Sequence, residues 1–213
     1  MKSIADLRKE YQLKSLSESD TQDDPILQFD LWWKEAIESG IEEVNAMTLA
    51  TAGLDAKPTS RIVLLKGYNE QGFVFFTNYE SKKGRNLNSN PYASLTFYWK
   101  ELERQVRIEG HVVKTSDSES DEYFHSRPLI SQLGACASPQ SSVIESRDFL
   151  ENRFNELSAE YEHKEIPRPM HWGGYVVNPV EIEFWQGRAG RLHDRILYSI
   201  NEQKKWSKIR LAP

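Results

Sequence analysis

The sequence predicts a mainly β, barrel-like domain decorated by helices, and three observations carry that expectation. From Ala46 to Thr115, short segments rich in β-branched and aromatic residues alternate with turn clusters at the spacing of antiparallel strands. The same pattern returns from Gly174 to Leu211. Helical periodicity occurs before and between these stretches without alternating strand by strand, which argues against a doubly wound parallel sheet.

Taken in order, Ser3 and Asp6 form a capping-box-like start for a short helix through Tyr11. Asp24-Pro25 supplies an N-cap and a first-turn proline, and Ile26, Phe29, Trp33 and Ile37 recur at helical spacing until Gly40. Strands are expected at Met47 to Thr51, Arg61 to Gly67, Phe73 to Thr77, Tyr92 to Trp99 and Gln105 to Lys114. Helices follow at Ser118 to His125 and at Ser142 to Tyr161, the second opening on Ser142-Val143-Ile144-Glu145, another capping box. After the proline-punctuated loop Ile166-Pro167-Arg168-Pro169, strands resume at Gly174 to Val177, Ile182 to Gln186, Arg195 to Ile200 and Trp206 to Leu211. Asn201 to Lys205 reads as a hairpin loop between the last two. With no repeat or long linker, one domain spans residues 1–213, its first 40 residues forming an N-terminal helical segment.

The chain has 27 Lys plus Arg against 32 Asp plus Glu, a formal charge of −5, so nucleic-acid binding through a broad positive field is not expected and any anion site must be local. Its single cysteine, Cys136, excludes an intrachain disulfide. There is no signal-like apolar segment and no apolar run of spanning length, so a soluble cytoplasmic protein is expected, with no membrane partner. Phosphate-loop, dinucleotide-fold, zincin and nucleophile-elbow motifs are absent, and no pair of the five histidines has zinc-site spacing.

Four cation-bearing stretches remain. Arg61-Ile62-Val63-Leu64-Leu65-Lys66 brackets an apolar strand with two cations, offering both to anions or simply solvating the ends of a core strand. Ser81-Lys82-Lys83-Gly84-Arg85 reads as a helix start suited to phosphate or as a solvated basic loop. Tyr123 and Arg127 share a helix face, and Pro128 can start a second helix that brings Ser131 near. That donor set matches a phosphate monoester, against the alternative of an incidental arginine at a surface helix end. Phe184 to Arg195 places Trp185, Arg188, Arg191, His193 and Arg195 at a strand-loop-strand junction, the composition of a wall for an aromatic, anionic ligand.

These stretches, together with Glu103-Arg104-Gln105-Val106, Pro139-Gln140-Ser141-Ser142 and the terminal Arg210-Leu211-Ala212-Pro213, resemble the pyridoxine (pyridoxamine) 5′-phosphate oxidase family, in order from about Arg8 to Pro213. The resemblance implies a split β-barrel homodimer with two FMN sites at the subunit interface. It implies oxidation of pyridoxine or pyridoxamine 5′-phosphate to pyridoxal 5′-phosphate in vitamin B6 metabolism and salvage, a hydride equivalent passing to the flavin and O₂ becoming H₂O₂. By matched position, FMN is held by Arg61, Ile62, Val63, Leu64, Leu65, Lys66, Phe76, Thr77, Lys82, Lys83, Gln105, Gln140, Ser141, Trp185 and Arg195. Lys66, Tyr123, Arg127 and Ser131 hold the substrate phosphate, Arg191, Leu192 and His193 cover the substrate ring, with Arg191 and His193 the catalytic pair, and Arg8 and Tyr11 fold over as a lid. Three positions depart from the family pattern. Lys82 stands in place of an arginine, which turns a fork of donors into a point charge; Cys136 replaces a frequent tryptophan; and Gln12 to Leu16 lacks a common glycine. A flavin reductase lacking the second phosphate site, and a non-catalytic carrier of FMN or pyridoxal phosphate, are the competing readings.

Overall fold

A computed structural model describes residues 3–6 and 10–213. In chain order the elements are α1 (Pro25–Glu38), β1 (Ala46–Ala52), β2 (Pro58–Leu64), β3 (Gly67–Asn69), β4 (Gly72–Asn78), α2 (Lys82–Ser89), β5 (Tyr92–Trp99), β6 (Arg104–Lys114), α3 (Asp117–Ser126), α4 (Leu129–Ala137), α5 (Arg147–Glu160), β7 (Trp172–Gln186), β8 (Asp194–Ile200) and β9 (Trp206–Arg210). The strands form one sheet in the order β2-β1-β5-β6-β7-β4-β3, with β8 paired to β7 and β9 to β8 off that path. The β3–β4, β4–β7, β7–β8 and β8–β9 pairs are antiparallel. This is the expected mainly β split barrel with inserted helices, and no described helix is long and apolar enough to cross a membrane.

The chain divides into two compact units. The first comprises Met1–Leu49, Ser94–Gly110 and Pro179–Pro213. Its core is aromatic: Phe29 packs on Phe97 at 5.3 Å, Trp32 meets Phe184 edge-on at 5.2 Å, and the Arg104 guanidinium caps Trp32 at 4.2 Å. Here α1 is started by the Asp24 carboxylate, which accepts the Ile26 N–H, and by Pro25 in its first turn. Its buried face is Phe29, Trp32 and Ala36, each large side chain contributing about 1.5–3 kcal/mol by leaving water. Ile37, expected on that stripe, is 53% exposed, because the stripe follows Trp32 rather than Trp33.

The second unit comprises Ala50–Ala93 and His111–Asn178. Phe73 and Phe75 of β4 are fully buried, and Phe124, Leu133, Ile166 and Trp172 form a second cluster against which Phe154 and Leu157 of α5 pack.

Three expectations are corrected. Among the described residues Ser3 opens a 3₁₀ turn, Ile4–Asp6, and Tyr11, the expected end of that helix, lies outside any helix, while residues 7–9 are outside the described residues. The helix expected from Ser142 begins at Arg147, capped by the Ser146 hydroxyl accepting the Phe149 N–H. The strands expected at Gly174 to Val177 and Ile182 to Gln186 are one 15-residue strand, β7. Pro179 reads as a breaker, yet it falls where β7 changes partner: pairing with β4 ends at Val177 and pairing with β8 starts at Glu181, so the missing N–H interrupts neither ladder.

Candidate functional site

The second unit contains a cleft of about 1170 Å³. Its walls are β2 from Thr59 to Leu64, Lys66, the end of β4, the start of α2, the α3–α4 junction, the loop from Ser138 to Ser141, and Trp172. β2 ends the strand path, and its residues from Thr59 to Leu64 line the cleft. Arg61, Ile62, Val63, Leu64, Lys66, Phe76, Thr77, Lys82, Lys83, Tyr123, Arg127, Ser131, Gln140 and Ser141 all line it. Leu65, just past the end of β2, is buried in the core and is not part of the lining.

Local structure places each of these groups. Ser81 caps α2 by accepting the Gly84 N–H, which sets Lys82 and Lys83 at the positive end of the helix. Gly84 is obligatory there, since a Cβ would lie 2.0 Å from the Tyr79 carbonyl oxygen. Lys83 Nζ donates to Thr77 Oγ1 at 3.0 Å and to Gln140 Oε1 at 2.9 Å. Burial, and then the nearby Arg61 charge, push its ammonium down to about 8. Arg61 is oriented by Thr51 and Thr59, donating to their hydroxyls at 2.9 and 2.7 Å.

At the other end of the cleft, Tyr123 stacks on Phe76 with ring centroids 4.0 Å apart, and Lys66 Nζ stands 5.8 Å over the Tyr123 ring. Pro128 caps α4 and turns the chain, as expected, so that Arg127 and Ser131 face one cleft. The Arg127 guanidinium lies 4.7 Å over Trp172, and its buried Nη1 has no hydrogen-bond partner among the described residues. A buried N–H without an acceptor costs about 1–3 kcal/mol, so this donor set calls for an anion. Among the described residues the lining holds five cations and no carboxylate, in a chain of charge −5. The set fits a phosphorylated flavin together with a second phosphate monoester.

Tyr11, Gln105, Trp185, Arg191, Leu192, His193 and Arg195 belong to the first unit, and the cleft lining does not include them. Trp185 and His193 lie 4.6 Å apart, and Tyr11 sits edge-on to both at 5.6 and 5.8 Å. Gly187 makes room for Tyr11, whose ring atoms would lie 2.7 Å from a Cβ. His193 Nδ1 accepts the Arg188 N–H at 3.1 Å, which leaves Nε2 to carry the proton of the neutral imidazole. Burial and the Arg191 charge hold that imidazole below its ordinary value. Arg191 has φ 61° and Ser141 of the cleft φ 72°, left-handed conformations that non-glycine residues adopt at a cost of about 1–2 kcal/mol. Arg195 is engaged with buried Glu183 through two bonds of 2.8 and 3.0 Å, so its charge is already matched. Gln105 is half-buried on β6, Leu192 is exposed, and Arg8 lies outside the described residues.

Sequence reasoning missed Trp172, Asn78 and Ser138 in the lining, and it missed two carboxylates that seat the N-terminal segment. Glu103 accepts the Gln12 and Leu13 N–H groups, and Asp194 accepts that of Leu16. Acids that act on backbone groups from distant positions leave no local pattern. Trp172-Gly173-Gly174 following a proline loop was the one available signal.

Residues 33–160 match the family model of pyridoxamine 5′-phosphate oxidase, and residues 172–213 match that of the pyridoxine 5′-phosphate oxidase C-terminal dimerisation region. A pyridoxine/pyridoxamine 5′-phosphate oxidase from Paraburkholderia phymatum is 59% identical over the whole of both chains, and one from a Nostoc species is 55% identical over 100% of this chain and 99% of its own. Among solved structures, PhzG from Burkholderia lata, in complex with tetrahydrophenazine-1-carboxylic acid, superposes with a TM-score of 0.88 at 31% identity, covering 94% of this chain and 99% of its own. An FMN-binding protein from Nostoc punctiforme shares the fold with a TM-score of 0.66 at 18% identity, covering 84% of this chain and 94% of its own. The chain is an enzyme and belongs to the pyridoxamine 5′-phosphate oxidase family.

Proposed function

We propose that the chain, as a homodimer, is an FMN-dependent oxidase that converts pyridoxamine or pyridoxine 5′-phosphate to pyridoxal 5′-phosphate, serving vitamin B6 metabolism and salvage. One observation carries the reading: a cleft with five cations, no described carboxylate, and a buried guanidinium N–H lacking an acceptor. When bound, the flavin supplies a two-electron acceptor, and O₂ takes those electrons on to H₂O₂.

The protein's task is binding and orientation. Arg61, Lys82 and Lys83 neutralise the cofactor phosphate, with Gln140 and Ser141 as neutral partners and the segment from Arg61 to Lys66, the end of β2 and the two residues after it, along the ring. Phe76, Thr77, Gln105, Trp185 and Arg195 complete the cofactor surroundings. Lys66, Tyr123, Arg127 and Ser131 take the substrate phosphate. His193 donates from Nε2 while Arg191 presses on the ring, and Leu192 closes its edge, a contribution of proximity rather than of covalent catalysis. Tyr11, with Arg8, closes the site as a lid. The PhzG complex holds a carboxylic acid, whereas a second cluster of phosphate-matched donors favours a phosphorylated substrate here.

An absorbance spectrum before and after anaerobic addition of pyridoxamine 5′-phosphate tests the reading. A flavin band that bleaches and recovers in air, with peroxide and pyridoxal phosphate formed, is expected. A band that stays oxidised favours the reductase or the carrier, and a protein that takes up no FMN overturns the assignment of the cleft.

A further inference from the structure

The loop Ile166-Pro167-Arg168-Pro169 is absent from the cleft lining, yet its cation is enclosed, the Arg168 side chain being 6% exposed. Three of its nitrogens are committed. Nε donates to Asp121, Nη2 to Asp117 at 2.9 Å, and Nη1 to the Trp172 carbonyl at 2.7 Å. Asp117 and Asp121 stand one turn apart on α3, so they share a face. The same helix carries Tyr123 and, at its C-cap, Arg127. Trp172 opens β7; its ring runs within 9° of parallel to Tyr123 at 6.1 Å and takes the Arg127 guanidinium at 4.7 Å.

We infer that Arg168 is a positioning residue, fixing α3 against the start of β7 so that Tyr123 and Arg127 keep the spacing that selects phosphorylated over unphosphorylated substrate. The inference rests on the phosphate-site reading above. Only a planar fork meets the geometry, because an ammonium cannot reach carboxylates on two successive turns and a carbonyl at once. Pro167 and Pro169 restrict the backbone on both sides of the fork, which lowers the cost of holding it. α3 keeps other anchors: Phe124 is fully buried, and the Ser120 hydroxyl accepts the Gly174 N–H. Losing the clamp therefore shifts the register at Tyr123 and Arg127 without undocking the helix.

The test is equilibrium dialysis of pyridoxal 5′-phosphate and of pyridoxal against the FMN-loaded wild type, Arg168→Met, Arg168→Lys and the milder Asp121→Asn, alongside steady-state kinetics with pyridoxamine 5′-phosphate. In Arg168→Met, affinity for the phosphorylated ligand and KM worsen about tenfold or more, since one displaced charge-assisted hydrogen bond to the phosphate costs about ten- to a hundredfold in binding. Pyridoxal affinity, kcat and FMN content hold, Arg168→Lys fails to rescue, and Asp121→Asn moves the same way by less. Unchanged discrimination in both Asp121→Asn and the Arg168 variants overturns the inference, as does equal weakening of both ligands with loss of flavin, the mark of a purely structural role. A wild type that binds both ligands equally overturns the phosphate-site reading itself, and the inference with it.

Discussion

On the proposed reading, Lys83 ties folding to ligand capture. Its folded value of about 8 lies below the ordinary 10.5, so between those limits the unfolded chain binds more protons, and raising the pH stabilises the unliganded fold. An anion beside the ammonium favours the protonated form and raises that value. FMN affinity is therefore expected to weaken as the pH rises through about 8, by up to tenfold per unit. Flavin fluorescence titrations between about pH 7 and pH 9.5 check this, and a Lys83→Met protein with the same slope as wild type refutes the coupling. Gly84→Ala probes the same corner. With a Cβ 2.0 Å from the Tyr79 oxygen, the start of α2 must shift, which costs about 1–3 kcal/mol and lowers Tm by roughly 2–12 °C on calorimetry. A variant that melts with wild type would show that the turn adapts.

At the scale of elements, the start of α5 separates sequence pattern from context. Ser142 and Glu145 spell a capping box, but the Ser142 N–H is bonded to the Pro139 carbonyl, within the turn that presents Gln140 and Ser141 to the cleft. Ser146 is the serine that caps α5. Ser146→Ala is expected to cost about 1 kcal/mol in urea unfolding, while Ser142→Ala leaves stability within about 0.5 kcal/mol. The reverse order would restore the sequence reading. Elements specified by neighbours in the chain were legible: Asp24-Pro25 for α1, Ser81 for α2, Pro128 for α4, and Asn201 to Lys205 for the β8–β9 turn. What pairing decides was not. Pro179 looks like a strand end until its neighbours are known to change on either side of it. The cation clusters of the cleft were likewise legible because charge in an apolar setting is visible in sequence, whereas Glu103 and Asp194 act on distant backbone and Arg168 on the distant carboxylates of Asp117 and Asp121, and none of the three had a local signature.

At the scale of the whole molecule, the proposed site residues fall into two sets. The cleft of the second unit holds the phosphate-matched donors, and the first unit holds Tyr11, Trp185, Arg191 and His193. The match to a dimerisation region covers residues 172–213, which contain Trp185, Arg191 and His193. On the proposed reading, a homodimer brings the cleft of one copy to the Trp185–His193 cluster of the other. Arg127→Ala and Arg191→Met then damage opposite halves of a shared site, and each variant alone should lose most of its turnover while Arg191→Met still binds FMN. When the two are mixed and allowed to exchange subunits, half of the dimers are mixed, and each mixed dimer carries one site with both halves intact. Two-fold symmetry then sets the recovered rate at about a quarter of wild type. Recovery near that value, with mixed dimers confirmed by differential tagging, supports a site shared between copies. Mixed dimers with no recovered turnover would mean that each chain completes its own site, and that the −5 chain gathers its local positive charge without help from a second copy.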